Sequence, residues 1–155
     1  MSFTPFKVET VPLSGSNLIE ASAGTGKTYS IAILALRLIL SGTTVKEILM
    51  VTFTNKAVLE LETRIRSFVQ DARDHMVNGK KADPMIEKII KSAADEYGEE
   101  LCKTRLKNAV LLLDETAIQT IHGFCQRTLT EYAFETGQIF GSNIITEQDA
   151  ADMLH

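Results

Sequence analysis

Apolar residues form strand-length and helix-length patterns in the first third of the chain. Ile48 to Phe53 is a continuous apolar run, which predicts a parallel strand covered on both faces. A shorter strand is predicted at Asn17 to Ala21. Between them, Gly26 to about Ser41 is apolar around nearly its whole circumference, which predicts a helix packed between two layers. Strand, helix and strand in this order predict a crossover unit of a parallel sheet, and Gly42 is expected to end the helix.

The following residues are predicted to be mainly helical. Thr54 is expected to cap a helix whose apolar residues recur at helical spacing. Asp83-Pro84 predicts a second helix start. Gly98 is expected to interrupt this helix, and a further helix is predicted from about Glu99 to Leu113. Residues from about 76 to 114 would thus form a helical insertion between strands. Beyond it we predict a strand at Ala117 to Ile121, a helix from His122 to about Thr136, a short strand at Ser142 to Ile145 and a helix start at Thr146.

Composition is that of a soluble globular domain. The 155 residues are 45% hydrophobic and 23% charged, and the formal net charge of −4 argues against a broad basic surface for duplex DNA. No apolar run approaches the roughly twenty residues that a membrane-spanning helix needs, and the chain start lacks a secretory pattern. We therefore expect no membrane partner and a cytoplasmic location. Cys102 and Cys125 are expected to be reduced thiols, with Cys125 a buried small residue.

The stretch EASAGTGKT, Glu20 to Thr28, follows the first predicted strand and opens the first helix. Its glycines allow backbone turns in which successive N–H groups point at phosphate oxygens. In this Walker A spacing Lys27 would bind the β and γ phosphates of ATP, and the Thr28 hydroxyl would ligate Mg²⁺. We assign both of them catalytic roles, with Thr28 as the metal ligand. The predicted nucleotide site comprises Ala21, which replaces the usual first glycine, and Ser22, Ala23, Gly24, Thr25, Gly26, Lys27 and Thr28.

A second pattern leaves two interpretations open. Ala109 to Glu115, AVLLLDE, has the form of a Walker B strand, in which Asp114 would hold Mg²⁺ and Glu115 would polarise a water. The chain would then be a self-contained P-loop ATPase or phosphotransferase. The same residues also continue a helical stripe that begins at Leu101, and we favour this helical interpretation. In a third hypothesis, the chain is a non-enzymatic binding module with a vestigial loop.

Three motifs in a fixed order carry a family resemblance. EASAGTGKT is followed by VTFTNKAVLELETRI, Val51 to Ile65, and by TIHGFCQR, Thr120 to Arg127. Together they resemble motifs I, Ia and Ib of superfamily-1 DNA helicases of the UvrD/Rep type, and within that family most of all the RecB (exodeoxyribonuclease V beta) subunits. The resemblance implies an α/β fold of the P-loop NTPase (RecA-like) class, a parallel sheet flanked by helices. Residues 1–155 would be the N-terminal portion of the first motor domain (1A).

The resemblance also implies a function. It indicates an ATP-dependent DNA helicase/exonuclease subunit that translocates on single-stranded DNA in recombinational repair. Its partners would be single-stranded and double-stranded DNA and other subunits of a RecBCD-like complex. Later family motifs, and the glutamine that many relatives use to read adenine, have no counterpart here, so we expect weak nucleotide binding and poor hydrolysis by these residues alone. Motifs Ia and Ib would place five residues against DNA, namely Phe53, Thr54, Asn55, Thr120 and His122, with Phe53 stacking on a base.

Overall fold

The chain forms helices and one two-stranded parallel sheet. A computed structural model describes residues 5–22 and 24–136, and the chain divides into two units, Met1–Thr120 and Ile121–His155. None of the described helices combines the length and apolarity needed to cross a membrane. In chain order the elements are α1 (Lys27–Ser41), β1 (Leu49–Thr52), α2 (Asn55–Asn78), α3 (Pro84–Tyr97), α4 (Glu99–Leu111), β2 (Ala117–Thr120), α5 (Ile121–Glu131) and α6 (Ala133–Thr136), with 3-10 turns at Val45–Glu47 and Leu113–Glu115.

Local caps define where three helices begin or end, at positions that the sequence predicted. Gly42 ends α1 with φ at 113°, a left-handed conformation that favours glycine. The Thr54 hydroxyl oxygen accepts a 3.1 Å hydrogen bond from the backbone N–H of Ala57 and so caps α2. An Asp83 carboxylate oxygen accepts a 2.8 Å bond from the N–H of Met85 and caps α3. These three predictions are confirmed.

The core of the first unit lies among its four long helices. α1 contacts α2, α3 and α4, and α2 also contacts α3 and α4. Fully buried side chains come from all four helices: Ile33 and Leu36 from α1, Val69 from α2, Ile86 from α3 and Leu106 from α4. Every buried side chain of the described residues is apolar. Burial of this apolar surface is the main stabilising contribution.

The sheet is covered more fully on one face than on the other. β1 and β2 pair in parallel from Leu49 with Ala117 to Thr52 with Thr120, and α2 contacts both strands. Alternate residues of a strand point to opposite faces. Leu49 and Val51, which share a face, are 48% and 42% exposed. The predicted parallel strand is confirmed, but its predicted cover on both faces is wrong for the described residues.

The predicted strand at Asn17 to Ala21 does not form in the described part of the chain. Residues 16–22 are not assigned to a strand, and Leu18 is 89% exposed. A strand requires a partner whose backbone groups complete its hydrogen bonds, and β1 and β2 pair with each other instead. The crossover in this structure therefore runs from β1 through α2, α3 and α4 to β2, not through α1.

Several smaller predictions need correction. α4 ends at Leu111 rather than Leu113, and a 3-10 turn follows it. The helix predicted from His122 begins at Ile121 and is interrupted at Tyr132. Cys125 is exposed rather than buried, whereas Cys102 is buried, and both are free thiols. The strand predicted at Ser142 to Ile145 and the helix start at Thr146 lie outside the described residues.

Candidate nucleotide and nucleic-acid site

The phosphate-binding candidate is the turn that leads into α1. Gly24 and Gly26 have φ of 78° and 80°, in the left-handed region that glycine enters without steric cost. Gly26 occupies the cap position of α1, and no side chain caps the helix. The first turn also contains no acidic residue. The N–H groups of that turn have no intrahelical partners, so they and the helix dipole favour an anion at this end of α1.

The Lys27 side chain folds back over the loop with which it is predicted to bind phosphate. Its Nζ donates hydrogen bonds to the carbonyl oxygens of Ala21 at 3.1 Å and Ser22 at 2.6 Å. The Thr25 hydroxyl donates to the same Ser22 oxygen at 2.8 Å. The structure thus brings four predicted site residues into direct contact. Ala23, another predicted site residue, lies outside the described residues.

Thr28 carries the predicted Mg²⁺ ligand, its side-chain hydroxyl. It is half-buried and directly follows Lys27 in the first turn of α1. Mg²⁺ prefers six oxygen ligands and takes most of them from water and substrate phosphates. Among the described residues, no group of three or more His, Cys, Asp or Glu side chains could hold a metal ion. The Thr28 hydroxyl is an oxygen donor, the ligand type that Mg²⁺ accepts.

A cavity of about 430 Å³ adjoins the loop. Its volume falls within the range of small-molecule sites. Loop residues line it together with apolar side chains that include Phe6 and Ile31. The segment that carries Phe6 is anchored on α1, because Arg37 donates 2.8 Å hydrogen bonds to the carbonyl oxygens of Val8 and Val11. The chain before the loop is therefore held against the loop's own helix.

Several nucleic-acid candidates lie at the carboxyl edge of the sheet. The register places Thr52 beside Thr120 as the last residues of the two strands. Phe53, which follows β1, is 87% exposed and is therefore not part of the core. Asn55 begins α2 and is exposed, next to the capping residue Thr54. Ligands of parallel α/β sheets bind at this edge.

The remaining nucleic-acid candidate belongs to the other unit. His122 is exposed in the first turn of α5. The structure therefore groups Phe53, Thr54, Asn55 and Thr120 in the first unit and describes His122 separately.

The carboxylates of the alternative Walker B reading are placed elsewhere. Asp114 and Glu115 lie in the 3-10 turn after α4, before β2 begins, and hence at the amino edge of the parallel sheet. Asp114 pairs with Arg66 at 2.6 Å, and Glu115 pairs with Lys46 at 2.6 Å. The Walker B interpretation is wrong, because these residues do not end a strand and lie at the edge opposite to the one where Thr120 ends β2.

Tyr29 is a site neighbour that the sequence reading missed. It follows Thr28 in the first turn of α1, and its hydroxyl donates a 2.9 Å hydrogen bond to Asp83. Its ring meets that of Phe68 edge-on, with centroids 5.2 Å apart. Burial, with the Asp83 carboxylate beside it, raises the pKa of Tyr29 to about 12. No spacing rule connects positions 29 and 83, and the sequence indicated only a helix start at Asp83-Pro84.

Comparison with known proteins supports the three-motif resemblance. Residues 6–155 match the family described as the UvrD/REP helicase N-terminal domain. The chain is similar to the RecBCD enzyme subunit RecB of Escherichia coli (strain K12), with 40% identity over 151 residues that cover 89% of this chain and 12% of that protein. RecB of Haemophilus influenzae is 41% identical over 162 residues, covering 93% and 13%. RecB of Chlamydia trachomatis is 36% identical over 145 residues, covering 89% and 14%. The chain thus spans about an eighth of the length of these relatives.

Proposed function

Because the chain belongs to the UvrD/REP helicase N-terminal domain family, we propose that it is the ATP-binding N-terminal part of an ATP-dependent DNA helicase/exonuclease subunit of the RecB type. In the whole protein, ATP hydrolysis drives translocation along single-stranded DNA in recombinational repair. The observation that carries this proposal is the position of Lys27, which lies at the uncapped start of α1 with its ammonium over the loop carbonyls. Single-stranded and double-stranded DNA and other subunits of a RecBCD-like complex are the partners, in the cytoplasm.

Nucleotide binding uses the loop and the first turn of α1. The phosphates accept hydrogen bonds from the backbone N–H groups of that turn. Lys27 leaves the carbonyl oxygens of Ala21 and Ser22 and pairs with phosphate oxygens instead. Thr28 offers its hydroxyl to Mg²⁺, which neutralises phosphate charge when it is bound. The loop glycines remain in left-handed conformations that a side chain would strain.

DNA binding uses the carboxyl edge of the sheet. Phe53 stacks on a base without reading sequence, as its 87% exposure allows. Thr54, Asn55 and Thr120 contact phosphate or sugar through hydroxyl and amide groups. His122, which belongs to the other unit, is proposed separately as a DNA contact through its imidazole. A narrow contact of this kind is compatible with a chain whose net charge is −4.

Residues 1–155 form the N-terminal portion of motor domain 1A, with a helical insertion at about 76–114. Hydrolysis requires a carboxylate beside the bound phosphates. Neither β1 nor β2 is directly followed by an acidic residue at the carboxyl edge, and Asp114 and Glu115 pair with basic residues at the amino edge. We infer that these residues alone bind MgATP weakly and hydrolyse it poorly.

The test is to measure MgATP binding and turnover by the chain, with and without oligothymidine. We expect nucleotide binding that depends on Lys27, together with turnover close to the buffer background. Measurable hydrolysis that is indifferent to DNA and abolished by Asp114→Ala would instead support a self-contained ATPase. MgATP binding that Lys27→Ala leaves unchanged, or no binding at all, would support a non-enzymatic module with a vestigial loop.

A further inference from the structure

The Tyr29 hydroxyl joins the first turn of α1 to the start of α3. It donates a 2.9 Å hydrogen bond to Oδ1 of Asp83. The same oxygen accepts the backbone N–H of Met85 at 2.8 Å. One carboxylate oxygen therefore both caps α3 and holds a residue that lies two positions after Lys27. A hydrogen bond to a charged acceptor is stronger than one between neutral groups.

The ring of Tyr29 adds a contact with another helix. It packs edge-on against Phe68 of α2, with ring centroids 5.2 Å apart. Aromatic pairs in this arrangement are favourable beyond their buried area. Tyr29 therefore contacts α2 through its ring and α3 through its hydroxyl. Both contacts originate in the turn of α1 that is proposed to hold phosphate.

The segment that contains Asp83 is itself fastened at several points. The backbone N–H of Ala82 donates a 3.0 Å hydrogen bond to Oε1 of Glu87, within α3. Nδ1 of His75, in α2, lies 2.8 Å from the carbonyl oxygen of Lys80. The connection between α2 and α3 is thus tied to both helices. Asp83 is consequently a fixed anchor for the Tyr29 hydroxyl rather than a loose one.

Because Tyr29 lies in the first turn of α1, its hydrogen bond to Asp83 affects the loop that precedes this helix. Its backbone N–H belongs to the first turn of α1, whose N–H groups lack intrahelical partners and point toward the anion site. We propose that Tyr29 is a positioning residue: its hydrogen bond to Asp83 fixes the direction of these N–H groups and so preorganises the loop for the nucleotide phosphates. This inference rests on the proposed function, because it requires that Lys27 and its loop bind MgATP.

The first test is Tyr29→Phe, which keeps the ring against Phe68 and removes only the hydroxyl. We expect the affinity for MgATP, measured by titration calorimetry, to fall about three- to tenfold, as the loss of one such hydrogen bond implies. Tyr97→Phe is the matched control, since it deletes the same hydroxyl from a tyrosine at the other end of α3. That control should bind MgATP as the wild type does.

The second test separates positioning from a general loss of stability. Coupling between two sites is reciprocal, so MgATP binding should slow hydrogen exchange of the Met85 amide, the donor to Asp83. This protection should disappear in Tyr29→Phe. Asp83→Ser keeps a capping oxygen but is too short to reach Tyr29, and it should weaken MgATP binding as much as Tyr29→Phe does. The double variant should lose no more than either single variant, because both remove one interaction.

The outcomes distinguish this inference from the proposed function. If the wild type binds MgATP, Lys27→Ala does not, and Tyr29→Phe binds as the wild type does, the positioning role is overturned and the proposed function stands. Additive losses in the double variant of Tyr29 and Asp83 would also overturn it. If the wild type fails to bind MgATP at all, both proposals fail together.

Discussion

The first turns of α1 and α2 differ in how their backbone N–H groups are satisfied. α1 begins after Gly26, which has φ of 80° and provides no side-chain cap. α2 begins after Thr54, whose hydroxyl oxygen accepts the N–H of Ala57 at 3.1 Å. Neither first turn contains an acidic residue. The N-terminus of α2 is therefore partly satisfied by its own chain, whereas that of α1 is open to an external anion.

The residues that precede α1 and α2 also differ in size and chemistry. Before α1 stand small residues, and Lys27 reaches back to their carbonyl oxygens. Before α2 stands Phe53, a large apolar side chain that is 87% exposed. The α1 start thus presents backbone and one ammonium, which suit phosphate, and the α2 start presents side chains, which suit a base and a sugar. Similar elements have different chemistry because their preceding residues differ.

Lys27→Ala should have the largest effect on nucleotide binding. Removal of the ammonium deletes a charge-assisted contact to phosphate, so MgATP affinity should fall about ten- to a hundredfold in titration calorimetry. Lys46→Ala removes the same charge from an exposed pair with Glu115 at the other sheet edge and should leave the affinity unchanged. Equal losses in both variants would show that general charge, rather than the open α1 start, attracts the nucleotide.

Phe53→Ala should weaken binding of oligothymidine by about 1–3 kcal/mol, the range for one base stacked on an aromatic side chain. Fluorescence anisotropy measures this change. The free energy of unfolding should hardly move, since the side chain is 87% exposed. Leu111→Ala, at a residue that is 79% exposed in α4, is the control and should leave the DNA affinity intact. If both variants bind equally well, the α2 start has no role in DNA binding.

Thr54→Ala should lower the free energy of unfolding by about 1 kcal/mol, because the α2 cap is lost. Chemical denaturation measures the change, and Thr54→Ser should restore most of it. MgATP affinity should remain as in the wild type, since the α1 start has no such cap. A large loss of MgATP affinity in the alanine variant would contradict the proposal that nucleotide binds at the start of α1 and not at the start of α2.

Asp114→Ala should have the smallest effect. Its pair with Arg66 is exposed, and such pairs contribute roughly 0–1 kcal/mol to stability. MgATP affinity should not change, because Asp114 precedes β2 at the amino edge of the sheet. A marked loss of nucleotide affinity or turnover in this variant would place a second nucleotide contact far from the start of α1.

The sequence predicted features that depend on interactions between residues close together in the chain, and it failed for those that depend on distant residues. The caps at Gly42, Thr54 and Asp83 were predictable, because each involves residues within a few positions of one another. The strand predicted at Asn17 to Ala21 was wrong for the opposite reason, since a strand exists only where another chain segment completes its hydrogen bonds. Likewise, the helical interpretation of Ala109 was correct because its apolar stripe is a local pattern.

The sequence alone determined the glycine-containing turn before α1, several helix starts and the order of the three motifs, and through that order the family. Tertiary structure decided which segments meet: the pairing of β1 with β2, the exposed sheet face at Leu49 and Val51, and the bond between Tyr29 and Asp83. Caps and helical stripes depend on neighbours within one or two turns. Strand pairing and contacts across 54 positions depend on how the four long helices pack, and no local pattern encodes that.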